Sequence, residues 1–301
     1  DRDNMTKSYD LLSRDMRKYI YEKGWPSLTK IQEAAIKHMN LTDNNLILAA
    51  PTASGKTEAA FLPAISKSKD IKDKLRILYI SPLIALINDQ FKRISNLCKD
   101  LDISVTRWHS ESSISRKNKL IKDPSGILLI TPESLEAMLV SDKNRAEILL
   151  KDIDFVIVDE IHGFLNTNRG LQLKSLLTRI RSYSENNPRM IGLSATIGDK
   201  NFDLAKKFFL NDRDTNILLD RSKNDLIASL SYIESEDINE KIGEKVLALA
   251  LGKSTLIFPN SRDKVEKLAY LLKKEVEEKS YDLRIFSHHS SISKLKSCLL
   301  Y

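Results

Sequence analysis

The octapeptide Ala50-Pro51-Thr52-Ala53-Ser54-Gly55-Lys56-Thr57 carries the residue types that hold a phosphate chain. A glycine lets backbone N–H groups approach an anion, a lysine reaches the outer phosphates, and a following hydroxyl binds a divalent cation. Gly55, Lys56 and Thr57 stand in those places, with Thr52 and Ser54 in the loop before them. The strict pattern opens on glycine, and Ala50 stands there instead. Asp159-Glu160-Ile161-His162 supplies the acidic half of the same chemistry. Asp159 suits a Mg²⁺ contact, and Glu160 suits orienting or deprotonating an attacking water. An acidic pair at a strand end often only caps the next helix. Paired with the upstream phosphate loop, it points to hydrolysis of a nucleotide. His162 has two readings: a link between nucleotide and a neighbouring domain, or a structural hydrogen-bonding residue.

These residues need a scaffold that brings them to one place. Five apolar runs have the length of buried parallel strands: Leu46–Ala49, Ile77–Ile80, Ile127–Ile130, Phe155–Val158 and Met190–Leu193. Amphipathic stretches such as Thr57–Leu62, Leu83–Leu97 and Leu171–Ile180 alternate with them. That alternation predicts a doubly wound α/β sheet. Each run ends on a polar cluster, and open α/β sheets bind ligands at the carboxyl ends of their strands. Five clusters at five strand ends therefore predict one shared functional edge. Beyond Gly198 the pattern weakens and restarts. It predicts a strand at Thr255–Phe258, a helix over Lys264–Lys279 and a strand at Asp282–Phe286. Two domains are expected, 1–222 and 223–301.

The 301 residues are 42% hydrophobic and 30% charged, which excludes wholesale disorder. The net charge of +7 is compatible with a phosphate-rich partner and equally with a basic surface that has none. Lys67, Lys69, Lys72, Lys74 and Arg76 form one basic stretch, and Arg116, Lys117, Lys119 and Lys122 another. Solvated faces are the commoner explanation of such runs. Trp108 suits either stacking a base or anchoring a core. Cys98 and Cys298 are too few for a disulfide framework and read as reduced thiols, which suggests a cytoplasmic protein. No segment is long and apolar enough for a membrane helix, so no membrane partner is expected.

In its order of motifs the chain resembles the superfamily 2 DEAD/DEAH-box helicases, and among them the long helicase-related (Lhr-like) branch. Gly24–Gln32 resembles the Q motif, Ala50–Thr57 motif I, Ser81–Gln90 motif Ia and Thr131–Leu135 motif Ib. Asp159–His162 resembles motif II, Ser194-Ala195-Thr196 motif III and Ile257–Arg262 motif IV. His288–Ser291 is similar to the family's two-histidine strand end, and Trp108-His109 before Ser110-Glu111 also fits the branch. The resemblance implies a RecA-like fold and an ATP-dependent nucleic-acid helicase or translocase. ATP and Mg²⁺ are the implied cofactors, and single-stranded or duplex DNA or RNA the implied partner. Gln32 then reads the adenine edge. Pro82, Leu83, Thr131 and Pro132 hold nucleic-acid phosphates, and Asn260, Ser261 and Arg262 extend that track onto the second domain. Ser194 and Thr196 couple nucleotide state to strand grip.

The glycines mark a departure from that pattern. There are nine, and none lies beyond Gly252. The family's motif V carries a Gly-rich turn and its motif VI paired arginines, whereas after Arg221 the only arginines are Arg262 and Arg284. The second RecA-like domain is therefore expected to be incomplete, lacking motifs V and VI, and the chain alone weak or inactive in hydrolysis. Further domains or another subunit would complete it. The alternative is a non-catalytic ATP- and nucleic-acid-binding module, or a truncated subunit of a larger assembly in defence or repair.

Overall fold

The apolar runs fold as parallel strands. A computed structural model describes residues 8–195, 197–198, 201–209, 212–220, 228–235 and 237–287. The chain divides into two compact units, Asp1–Lys223 and Asn224–Tyr301. In the first, strands β1 (Asn45–Ala49), β2 (Leu75–Ile80), β3 (Val105–Trp108), β4 (Gly126–Ile130), β5 (Phe155–Val158), β6 (Arg189–Ser194) and β7 (Thr215–Leu219) form one sheet. Its order is β3-β4-β2-β5-β6-β1-β7, and every neighbouring pair is parallel. The helices are α1 (Arg14–Glu22), α2 (Lys30–Leu41), α3 (Lys56–Lys67), α4 (Ile84–Lys99), α5 (Ile114–Lys122), α6 (Pro132–Ser141), α7 (Lys143–Leu150), α8 (Asn168–Tyr183) and α9 (Phe202–Lys206).

The strand period of two splits each run between two cores. Leu46, Leu48, Ile77, Tyr79, Ile127, Leu129 and Ile157 pack on one face, with Met16, Ile36 and Phe61 from α1, α2 and α3. Ile47, Leu78, Ile80, Leu128, Ile130, Val156 and Val158 pack on the other, with Leu135, Leu149 and Leu176 from α6, α7 and α8. Each such side chain contributes about 1.5–3 kcal/mol on full burial. Covering both faces is what demands continuous apolar runs in the five central strands. Gly126 opens β4 at φ 78°, where a Cβ would lie 1.9 Å from the Ser104 carbonyl oxygen.

Two strands go beyond the sequence expectation. β3 and β7 are the edges of the sheet, and residues such as Thr106, Arg107 and Asn216 remain partly or fully exposed. An edge strand is relieved of full burial, so neither segment shows an unbroken apolar run.

In the second unit α10 (Ile238–Ala250) and α11 (Arg262–Glu278) pack together and bury Leu247, Ala250, Ala269 and Leu272. The strands expected at Thr255–Phe258 and Asp282–Phe286 do not form; both segments are irregular. Leu256 and Phe258 are each 85% exposed. A strand needs a neighbour to accept its ladder hydrogen bonds, and the described residues of this unit supply none. His288–Ser291 and Cys298 lie outside the described residues. Cys98 is buried and free, and burial pushes its thiol up to about 12. Among the described residues no helix is long and apolar enough to cross a membrane.

Candidate nucleotide and nucleic-acid site

The loop after β1 turns into α3 through Gly55, which adopts φ 85° as the residue before the helix. A Cβ there would meet the Gln32 side-chain nitrogen at 2.5 Å. That contact shows how the loop is held. Thr29 caps α2 and its hydroxyl donates to the Ser54 carbonyl at 3.1 Å. Gln32 accepts from the Thr29 backbone N–H at 2.9 Å and donates to the Gly55 carbonyl at 3.4 Å. Gln32 is thus buried against the phosphate loop, with both ends of its amide engaged. Lys56 folds back on the same loop, and its ammonium donates to the carbonyls of Ala50 at 2.6 Å and Pro51 at 2.7 Å. Burial draws the Lys56 ammonium below its ordinary value, against the opposing pull of Glu160 and Asp159. Thr57 is buried in the first turn of α3, and Thr52 is exposed.

The acidic pair sits at the tip of β5. Asp159 donates its backbone N–H to the Ile80 carbonyl of β2 at 2.8 Å. Its carboxylate accepts from the Tyr79 hydroxyl and, at 3.0 Å, from the Glu160 N–H. Burial raises the Asp159 carboxyl above its ordinary value, and the Tyr79 hydrogen bond works in the opposite direction. Tyr79 is raised well above a normal phenol, by burial first and then by Asp159. Glu160 takes φ 50°, an uncommon conformation for a residue with a side chain. The Glu160 carboxylate lies 3.3 Å from His162 Nδ1, and the same nitrogen lies 3.2 Å from the Ser194 hydroxyl. Ser194 in turn accepts the Ala50 N–H on its carbonyl at 3.2 Å. The tips of β1, β5 and β6 are therefore stitched together through Ala50, Glu160, His162 and Ser194. Thr196 lies outside the described residues.

The residues suit a nucleotide with a divalent cation. The Ser54 hydroxyl is buried in the loop without a hydrogen-bond partner among the described residues. Thr57 and Asp159 offer one hydroxyl and one carboxylate, and no group of three or more acidic or imidazole ligands exists among the described residues. That donor set is typical of Mg²⁺, which takes its remaining ligands from phosphates and water.

The next strand ends outward carry the expected nucleic-acid loops. Pro82 and Leu83 precede α4, and Leu83 is exposed. Thr131 caps α6: its hydroxyl accepts the Ser134 N–H at 3.3 Å and donates to the Ser134 hydroxyl at 3.0 Å. Pro132 is buried at the first position of that helix. The Thr131 hydroxyl is thus engaged locally, and the free helix-start N–H groups are what remain for an anion. Asn260, Ser261 and Arg262 belong to the second unit and are exposed, with Ser261 capping α11.

Two participants carry no motif. Tyr79 is the one hydroxyl in the buried strand β2, and a buried phenol needs an acceptor, which was the available signal. Arg169, in the first turn of α8, donates to the Pro82 carbonyl at 2.6 Å and to the Glu133 carboxylate at 2.6 and 2.9 Å. It joins the loop after β2 to the start of α6, and its spacing gives no clue. Trp108 is buried, so of its two readings the structure selects the core anchor.

Residues 29–204 match the family model for the DEAD/DEAH box helicase. Over 95% of its length the chain is 34% identical to the ATP-dependent helicase Lhr-Core of Methanocaldococcus jannaschii, of which it covers 36%. Over 77% of its length it is 28% identical to the Lhr helicase/uracil glycosylase of Escherichia coli, covering 18% of that protein. The chain thus spans about a third or less of the length of these curated relatives. The structure superposes on that of Mycobacterium smegmatis helicase Lhr bound to ssDNA and AMP-PNP with a TM-score of 0.80 and 26% identity, over 97% of this chain and 40% of that one. The DEAD-box helicase Mss116, at a TM-score of 0.75 and 19% identity, shares the RecA-like fold. With more than half of its residues inside the family model, the chain belongs to the DEAD/DEAH box helicase family and is similar to its long helicase-related branch.

Proposed function

We propose that the chain is the ATP-binding part of a helicase or translocase motor that moves on single-stranded nucleic acid. The observation that carries this reading is the stitching of β1, β5 and β6 at their carboxyl ends, which sets Lys56, Asp159 and Glu160 around one loop. Lys56 would exchange the carbonyls of Ala50 and Pro51 for phosphate oxygens, a trade of neutral for charged acceptors. Thr57 and Asp159 would hold Mg²⁺, which would supply charge neutralisation when bound. Glu160 orients the attacking water and takes its proton. His162 and Ser194 report the occupancy of that corner to the adjacent strand ends. Gln32 recognises adenine through the amide that now braces the loop. The nucleic acid runs along the ends of β2 and β4, and the second unit contributes Asn260, Ser261 and Arg262 as the opening of a second RecA-like domain.

The test is ATP turnover and nucleotide affinity in two variants. Lys56→Ala is expected to lose nucleotide binding by tenfold or more, in the range of about 1.5–3 kcal/mol for a hydrogen bond to a charged group. Glu160→Gln is expected to keep binding and to lose turnover by about 10²-fold or more, as for a general base. Unchanged single-turnover hydrolysis in Glu160→Gln would remove Glu160 from the reaction.

A further inference from the structure

Trp108 ends β3 at the margin of the sheet and pairs across the ladder with Ile130, the residue before Thr131. Its indole is 6% exposed and belongs to the core on that face. Two cations lie over it. The Lys117 ammonium from α5 is 5.4 Å from the ring centroid, and the Arg145 guanidinium from α7 is 5.8 Å from it. Each is attracted by the ring's negative face, an effect of about 0.5–2 kcal/mol. Arg145 pairs with Asp142 at 3.1 Å, and its Nε is buried without a partner among the described residues. Lys117 has no carboxylate partner among the described residues. Burial draws the Lys117 ammonium below its ordinary value, and the Arg145 charge adds to the effect. Two like charges on one ring repel, and a bound anion relieves that repulsion.

The position in the sheet indicates which anion. Outward along the carboxyl edge come the Pro82–Leu83 loop after β2, the Thr131–Pro132 loop after β4, and then the end of β3. Neighbouring strands lie about 4.8 Å apart, so the end of β3 is one short step outward from the Thr131–Pro132 loop. The exposed Arg116, Lys119 and Lys122 on α5 add positive potential beside the pair. We propose that Lys117 and Arg145, held over Trp108, form a further phosphate subsite for single-stranded nucleic acid, one strand beyond the Thr131–Pro132 loop. This rests on the nucleic-acid reading above. The subsite holds the backbone and reads no base.

Anisotropy of a labelled single-stranded oligonucleotide with the 301-residue chain, taken over a salt series, tests it. Lys117→Gln is expected to weaken binding about threefold to tenfold and to reduce the salt slope by about 0.7, the value for one single-strand phosphate contact. Arg145→Gln should act in the same direction, and Lys117→Arg should restore both quantities. Affinity for a fluorescent ATP analogue should stay constant in all three, which also reports that the sheet is intact. Unchanged affinity and slope in Lys117→Gln overturn the subsite and leave the nucleic-acid reading standing. A loss that Lys117→Arg does not restore overturns it too, since charge is then not the cause. A native chain that binds no oligonucleotide overturns the reading on which the subsite rests.

Discussion

The Tyr79 hydroxyl fixes where the Asp159 carboxylate points. Asp159 is buried, and its hydrogen bonds here come from the phenol and from the Glu160 N–H. The left-handed backbone at Glu160 aims that N–H, at a cost of about 1–3 kcal/mol for a residue with a side chain. Such strain at a strand tip is what a preorganised site looks like. Tyr79→Phe keeps the ring in place beside Phe61, 5.7 Å away between centroids, and removes one oxygen. A hydrogen bond to a charged group contributes about 1.5–3 kcal/mol, so Mg²⁺-dependent nucleotide affinity should fall about tenfold. Titrating Mg²⁺ against a fluorescent ATP analogue measures this, and oligonucleotide affinity without nucleotide should not change. An unaltered Mg²⁺ dependence would leave Tyr79 as core filling only.

Between elements, Arg169 is the joint. It carries the start of α8 to the loop after β2 and to the start of α6 at once. Both of those segments are in the proposed nucleic-acid track, and neither contacts the phosphate loop through this residue. Arg169→Ala should therefore weaken oligonucleotide binding about fivefold while nucleotide affinity holds. The ion pair is largely solvent-exposed, and such pairs contribute about 0–1 kcal/mol to stability. A thermal melt should accordingly move by only a few degrees (~2–4 °C at most). A large fall in melting temperature with proportional loss of both affinities would make Arg169 a structural strut instead.

Over the whole molecule, the distribution of glycine and arginine bears on rate. Within these 301 residues the arginines after Arg221 are Arg262 and Arg284, and neither stands beside another arginine. An arginine finger supplies about 10³–10⁵ in rate where it acts. The 301-residue chain should bind an ATP analogue and yet release phosphate at least about 10³-fold more slowly than a motor with that group, with or without oligonucleotide. Steady-state phosphate release checks this, and turnover at ordinary motor rates would mean that another group stabilises the charge.

The sequence by itself determined the five central strands and the polar turns at their carboxyl ends. Strands buried on both faces must be apolar at every position, and the turns that follow must be polar, so Leu46–Ala49 and Phe155–Val158 announce themselves together with Gly55, Lys56 and Asp159. Edge strands and the second unit escape that rule. Val105–Trp108 is half-covered, and Thr255–Phe258 has the composition of a strand without a neighbour to pair with. Only the tertiary structure decided that Gln32 braces the phosphate loop, that Tyr79 grips Asp159, that Arg169 spans two loops, and that Lys117 and Arg145 share one indole. The Tyr79–Asp159 contact joins residues 80 positions apart and the Arg169–Pro82 contact residues 87 apart. A hydrogen bond or a ring contact depends on a few ångströms of separation, which chain spacing does not encode and packing of the sheet does.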